Sequence, residues 1–300
     1  MPIIFFSKGN LAGENIAEQL IAKHGFEKQE DTLIGGGNFG KQEDKLVGGH
    51  GHKNSGGTVI GGGKRFETWS DGNLKLVKLD TLHLESDYLA DCKEFESDLV
   101  VFASTHKSAA EKQCFTAHAC GNWGPEALLG GRPRELAMSS PKALKCAYLY
   151  LKSNELPEFP AFVEATHHGP TRLESPVLFV EVGSNEAGWK NQEACAVAAD
   201  CIMHVCKNYG REAGHPAVGL GGLHYAPKFS KLMEDEGHAF SHIASKHYAS
   251  FIDSAAIEEA ARKTAGPKPL FLIEKKSLRS VERLGIEDAV KQAGFEYDFV

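Results

Sequence analysis

An α/β fold is what this sequence predicts: three layers, α/β/α, around a mostly parallel, mixed sheet. Two observations carry that expectation. From Asp98 onward, short apolar runs rich in β-branched residues alternate with stretches of helical periodicity, the order in which strands and crossover helices build a sheet covered on both faces. Four of those runs also end alike. Asp98-Leu-Val-Val-Phe-Ala-Ser-Thr-His106, Ala161-Phe-Val-Glu-Ala-Thr-His167-His168, Pro176-Val-Leu-Phe-Val-Glu181-Val-Gly183 and Pro216-Ala-Val-Gly-Leu-Gly-Gly-Leu-His224 each finish on His or Glu. Ligands of open α/β sheets bind beyond the carboxyl ends of the strands, so four such ends meeting there would form one site rich in imidazole and carboxylate.

With 300 residues, 42% hydrophobic and 24% charged, the chain has an ordinary globular composition and the length to bury a substantial core. It reads as one unit over residues 1–300, with no dividing linker. No run of about 18 apolar residues occurs, and Met1-Pro-Ile-Ile-Phe-Phe-Ser7 is too short for a signal peptide and lacks its basic lead. A soluble, cytoplasmic protein with no membrane partner is expected. Seven cysteines, odd in number and without C-x-x-C spacing, predict reduced, buried thiols. The net charge of −7 weighs against DNA as a partner and leaves room only for a local basic patch.

Along the chain, Ile3-Ile-Phe-Phe6 predicts a buried strand. Leu11 to His24 predicts an amphipathic helix, with Ile16, Leu20 and Ile21 at helical spacing and Gly25 as its stop. The pattern then breaks. Lys28-Gln-Glu-Asp-Thr-Leu-Ile-Gly-Gly-Gly37 returns 13 residues later as Lys41-Gln-Glu-Asp-Lys-Leu-Val-Gly-Gly-His50, and Thr58-Val-Ile-Gly-Gly-Gly63 is a partial third copy. This period is too short for a solenoid unit, so about 28–64 reads as a glycine-rich insertion, either hairpins or disordered. It lacks phosphate-loop spacing, and His50 and His52 read as loop residues.

Phe66-Glu-Thr-Trp69 and Leu74-Lys-Leu-Val-Lys-Leu79 alternate as strands with one wet face do, joined by a tight Asp71-Gly72 turn. Farther on, Ser140-Pro141 opens a helix to about Ser153. A second helix runs from Asn191 to Tyr209, with Ala194, Val197, Ala198, Cys201, Ile202 and Val205 on one stripe. Ser254 to Thr264 predicts another helix, Pro269 to Glu274 a strand, and Ile286 to Ala293 a short terminal helix.

Chemistry concentrates at the strand ends. His106 follows a buried run, where an imidazole is held rigidly with its tip toward the cleft and serves as base or ligand. In Phe115-Thr-Ala-His118-Ala-Cys-Gly-Asn122, His118 and Asn122 share a face if the segment is extended, and Asn suits carbonyl recognition or a turn. Glu164-Ala-Thr-His167-His168-Gly-Pro-Thr171 is the most specific piece. Adjacent histidines on a strand point to opposite sides, so one would ligate a metal while the other positions substrate, with Thr166 or Thr171 hydrogen-bonding either.

Glu181, within Leu178-Phe-Val-Glu-Val-Gly183, is expensive to bury alone and must pair with a cation, a metal or a histidine. Glu186 is either a second carboxylate of the site or an acid at a helix amino end. His215 and His224 bracket a glycine-rich run that lets a ligand approach, and Tyr225 can stack or hydrogen-bond. His238 and His242 would share a face if extended. There is no G-x-S-x-G elbow and no H-E-x-x-H, so neither a serine hydrolase nor a zincin is supported.

Assembled in order, Ser104-Thr-His-Lys-Ser108, Phe115-Thr-Ala-His-Ala-Cys-Gly-Asn122, Glu164-Ala-Thr-His-His-Gly-Pro-Thr171, Phe179-Val-Glu-Val-Gly-Ser184 and Gly219-Leu-Gly-Gly-Leu-His-Tyr225 resemble the archaeal and plant type of D-aminoacyl-tRNA deacylase. The resemblance spans about residues 1–27 and 66–300. It implies a zinc-dependent esterase that cleaves a D-amino acid from the 3′ end of tRNA, on a fold similar to peptidyl-tRNA hydrolases and nucleoside phosphorylases. For the plant branch it also implies action on aldehyde-modified D-aminoacyl-tRNA.

The expected zinc ligands are His167 or His168, Glu181 and His224. His106, His118 and Glu186 are the expected catalytic groups, and Asn122, Thr171 and Tyr225 the substrate contacts. Zinc held by His and carboxylate lowers the pKa of its water to about 7 and polarises an ester carbonyl. Recognition limited to the acceptor end needs few phosphate contacts, for which Lys107, Lys112, Arg132, Arg134, Lys142 and Lys145 are candidates. Two competing readings are a metal-dependent amidase or peptidase acting on small D-amino-acid derivatives, and a non-catalytic RNA-binding adaptor. The density of His and Glu at strand ends counts against the adaptor.

Overall fold

The computed structural model describes residues 1–34, 64–235 and 237–300. Most of the glycine-rich insertion, with His50 and His52, therefore lies outside the described residues. Strand β1 (Ile3–Ser7) and helix α1 (Leu11–His24) form the expected β-α start; Asn10 Oδ1 caps the helix by accepting from Gly13 N at 2.9 Å, and Gly25 ends it at φ 72°. At the described edges of the insertion, β2 (Glu27–Lys28) and β3 (Thr32–Ile34) pair antiparallel with β4 (Lys64–Ser70). β4 in turn forms the predicted hairpin with β5 (Lys75–Leu79), whose turn is closed by Asp71 Oδ1 accepting from Asn73 N and Leu74 N.

The remaining elements alternate. They are β6 (Val100–Thr105), β7 (Cys114–His118), α2 (Pro141–Ser153), β8 (Ala161–Val163), β9 (Val177–Gly183), α3 (Glu186–Trp189), α4 (Gln192–Asn208), β10 (His215–Leu220), α5 (Pro227–Asp235), β11 (His238–Ala244), α6 (Ser254–Arg262), β12 (Leu270–Ile273), α7 (Ser280–Gln292) and β13 (Tyr297–Phe299). Helix α7 begins six residues before the predicted Ile286, because Glu282 folds back on Arg279 N at 2.9 Å and builds a first turn that apolar periodicity does not mark.

The fold is α/β with a mixed, mostly parallel arrangement, but the strands divide between two sheets. The larger has the order β2-β4-β5-β1-β6-β9-β7-β8, with β3 on β4, and the smaller β11-β10-β12-β13. In the larger sheet β1, β5, β6 and β9 are mutually parallel, while β7 enters antiparallel to β9. All pairs of the smaller sheet are parallel.

Strand periodicity sets the layers. Ile4 and Phe6 of β1 face a core with Ile16 and Leu20 of α1 and Cys201 and Ile202 of α4, whereas Ile3 and Phe5 face Leu89, Phe95 and Phe102. That second face is covered by the 3₁₀ turns His83–Asp91 and Lys93–Phe95 instead of a helix. On the smaller sheet, Ile257, Ala260, Ile286 and Val290 of α6 and α7 pack on Val218, Leu220, Phe271 and Ile273. Every cysteine is a buried free thiol. No helix among the described residues is long and apolar enough to cross a membrane.

Candidate active site

The four polar strand ends do meet, although β10 belongs to the smaller sheet. Ala165 N donates to His224 O at 2.7 Å, which ties the segment after β8 to the end of β10. Around this junction lie His106, His118, Glu164, His167, His168, Glu181 and His224.

His118 closes an aromatic ladder. Phe5, Phe102, Phe179 and His118 sit in register on β1, β6, β9 and β7. Phe102 stacks on Phe179 at 4.8 Å, and His118 on Phe179 at 5.0 Å with the planes 9° apart. One ring face of His118 is thus fixed by packing, and its Nδ1 by Ala119 O at 3.1 Å. Its Nε2 is buried and has no hydrogen-bond partner, lying 3.7 Å from Glu181 Oε2.

Adjacent His167 and His168 do not diverge as strand alternation predicts. His168 takes the left-handed backbone region at φ 49°, which rotates its side chain to the side of its neighbour. The two rings lie 4.4 Å apart and stand 4.3 and 4.9 Å from the ring of His118. Each is oriented by a backbone carbonyl: Nδ1 of His167 bonds Ala165 O at 2.8 Å and Nδ1 of His168 bonds Gly169 O at 2.7 Å. A proton on each Nδ1 leaves three Nε2 lone pairs facing one another, the second-shell arrangement found behind metal-bound imidazoles. Burial holds His167 neutral with a pKa near 4 and pushes His168 well below its ordinary value. Burial disfavours charge on His118 as well, but Glu181 outweighs it and raises that pKa.

A second group is built on carboxylates. Glu164 and Glu181 are almost fully buried. His106 Nδ1 lies 3.2 Å from Glu164 Oε2 and 3.5 Å from Glu181 Oε2, and His224 Nε2 lies 2.9 Å from Glu164 Oε1. These are charge contacts; neither Glu164 oxygen accepts a well-aligned hydrogen bond, so both keep lone pairs for a cation. Thr116 Oγ1 donates to Glu181 at 3.2 Å. Burial works against charge on His106, yet the two carboxylates prevail and push its pKa up to about 12. Burial likewise opposes ionised Glu164 and Glu181, and their histidine partners hold both well below the usual carboxylate range. His106 is therefore an imidazolium in this arrangement, with Nε2 2.8 Å from the hydroxyl of Tyr225.

Three overlapping sets could each hold a metal ion: His118, His167 and His168; Glu164, His167 and His224; and His106, Glu164 and Glu181, with donor atoms of each set within 4.8 Å of one another. The residues fit zinc, since neutral imidazoles and carboxylates are its ligands, and within the cluster His118 Nε2 and both oxygens of Glu164 are buried without a well-aligned hydrogen bond.

Other expected residues lie elsewhere. Glu186 is exposed on α3 and pairs with Lys190 at 2.5 Å, because the helix amino end turns it to solvent. From the same helix it is Trp189 that reaches inward, donating from Nε1 to His106 O at 2.9 Å. Asn122 and Thr171 do not face the cluster. Asn122 Nδ2 donates to Gly130 O and Arg132 O, and Thr171 Oγ1 accepts from Arg132 N, so both anchor the loop carrying Arg132 and Arg134. Gly169 and Gly131 cross there so closely that a Cβ on Gly169 would lie 2.3 Å from Gly131 N.

His242 is buried beside Thr166 and Lys263 O, and a bulge after Ala217 shifts its register relative to His238. Lys145 lies on the buried face of α2 and so is removed from the basic patch. Three residues escaped the sequence reading of the site. Glu164 sits in an apolar run, the same signal that marks Glu181. His83, between Ser7 and Ser104 and 6.4 Å from the His168 ring, and Trp189 carry no local signal.

The family model described as D-aminoacyl-tRNA deacylase matches residues 93–298. A D-aminoacyl-tRNA deacylase of Thermococcus onnurineus is 33% identical over 99% of this chain and 99% of its own length. That of Pyrococcus furiosus is 37% identical over 76% of this chain and 87% of its own. A crystal structure of a conserved protein of unknown function superposes with a TM-score of 0.80 at 26% identity, covering 100% of this chain and 95% of the other. With the family model matched across more than half its length and archaeal relatives matched end to end, the chain belongs to the D-aminoacyl-tRNA deacylase family.

Proposed function

We propose that the chain removes D-amino acids from the 3′ end of tRNA at the His/Glu cluster, with zinc held by His118, His167 and His168. The observation that carries this reading is the set of three imidazoles with Nδ1 at backbone carbonyls and one ring nitrogen from each within 4.8 Å of the others. When bound, the ion supplies Lewis-acid polarisation of the ester carbonyl and an acidified water. This assigns His118 to the metal instead of to catalysis, and moves Glu181 and His224 from the first ligand set to its flank.

The chain's own groups do the rest. Glu181 and Glu164 are buried and ionised beside His106, so they keep its imidazolium charged and oriented at the reacting centre. His106, kept cationic, donates through Nε2 to Tyr225. The Tyr225 hydroxyl is then free to donate to an oxygen of the ester or ribose, where negative charge develops. Arg132 and Arg134 lie on a loop tied to the His168 segment through Gly169 N and Leu129 O, which supports assigning them to acceptor-end phosphates. Seven buried thiols fit a reducing compartment, and we place the reaction in the cytoplasm.

The test is ester loss from D-tyrosyl-tRNA and L-tyrosyl-tRNA by zinc-loaded and chelator-treated protein. Selective loss of the D form, abolished by chelation and restored by zinc, is expected. Turnover that survives complete removal of metal would overturn the zinc assignment.

A further inference from the structure

A pocket of about 640 Å³ opens beside the cluster, under the segment that joins β6 to β7. Its walls include Cys114, Pro160, Phe162 and Tyr225, with Lys112 and Glu158 at its edge. The rings of Phe162 and Tyr225 lie 5.1 Å apart, and the Tyr225 hydroxyl is 2.8 Å from His106 Nε2, so the aromatic wall ends one hydrogen bond from the reacting centre.

Resting on the deacylase reading, we propose that this pocket receives the 3′-terminal purine nucleoside of the tRNA, with Phe162 as the residue that sets its affinity. Size is the first argument: the cavity is of the class that takes a whole small ligand, more than one amino-acid side chain fills. Its chemistry is the second. Aromatic faces stack an unpaired base, a cation suits the adjoining phosphate, and a carboxylate accepts from an exocyclic amine. Lys112 and Glu158 supply those two polar functions among lining residues that also include Ser108, Glu111 and Gln113. Continuity is the third, since a nucleoside stacked on Phe162 brings its ribose toward Tyr225, where the ester must lie.

The experiment is calorimetric titration of the full chain with 5′-AMP, alongside KM for D-tyrosyl-tRNA and D-alanyl-tRNA. Phe162→Ala is expected to weaken AMP binding about tenfold and to raise KM for both substrates by the same factor, as loss of one stacking partner does. Phe162→Trp, which keeps a stacking face, is expected to retain AMP binding and guards against a folding defect in the alanine variant. A D-tyrosyl to D-alanyl ratio that shifts while AMP affinity stays fixed would make this the amino-acid pocket and overturn the proposal, as would no AMP binding by the wild type at millimolar concentration. AMP binding that responds to Phe162 in a protein without deacylase activity would leave the pocket assigned and sink the deacylase reading instead.

Discussion

His118 stacks on Phe179 with the ring planes 9° apart, and the cross-strand ladder behind Phe179 runs through Phe102 to Phe5. A polar group of the site is thereby positioned by the sheet core itself. Phe179→Leu keeps the pocket filled but removes the stack, so a stability loss of about 1–3 kcal/mol is expected in urea unfolding, with a fall in kcat as His118 gains rotational freedom. A normal kcat in a destabilised variant would show that His118 does not depend on its neighbour.

His167→Ala and His168→Ala are each expected to lower bound zinc, measured by plasma mass spectrometry, and to reduce turnover by at least about 100-fold, the upper scale on which even outer partners of a metal act. Glu186→Gln is the contrast. Its pair with Lys190 is fully exposed and screened by solvent, so zinc content and rate should match the wild type. A large defect in Glu186→Gln would return that residue to the site.

Much of this was legible in the sequence. Helix α1 with its Gly25 stop, the Asp71-Gly72 hairpin and the helices after Ser140 and Asn191 follow from local rules of capping and periodicity. Convergence of His106, His167, Glu181 and His224 follows from their place at strand ends. Division of the strands into two sheets did not show, since βα alternation is the same whether successive strands join one sheet or two. His168 was misjudged in direction because a left-handed residue interrupts strand alternation, and nothing in a His-His pair signals it. Glu164 was missed despite its apolar surroundings, because the histidines following it drew the functional assignment. Asn122 and Thr171 belong to loop anchoring, a long-range relation that spacing does not encode.

Acid should destabilise the protein through His242, which burial holds neutral with a pKa near 4. The sign follows from linkage. Unfolded, the ring takes up a proton near pH 6.5 while the folded one does not, so its stabilising contribution is present above pH 6.5 and is lost as pH falls toward 4. The slope is at most about 1.4 kcal/mol per pH unit and the whole loss roughly 3 kcal/mol. In urea unfolding from pH 7 to 4.5, His242→Gln should show a shallower decline than wild type; parallel curves would mean that His242 titrates alike in both states.

Asn122 is expected to act through KM. Its amide holds Gly130 O at 3.0 Å and Arg132 O at 3.1 Å, and Asn122→Ala leaves both carbonyls without that donor, a local penalty of about 1–3 kcal/mol. The loop then no longer holds Arg132 and Arg134 in one arrangement, so substrate binding is expected to weaken more than chemistry does. Arg134→Ala removes one of these cations directly. If Arg134 meets a phosphate, the slope of log affinity against log salt falls by about 0.7, the value for one contact to single-stranded nucleic acid. Asn122→Ala should shift the slope in the same direction by a smaller amount, because it loosens the contact without deleting it. A loss of kcat at constant KM and constant salt slope would instead place Asn122 in direct contact with the ester, the role its spacing from His118 first suggested.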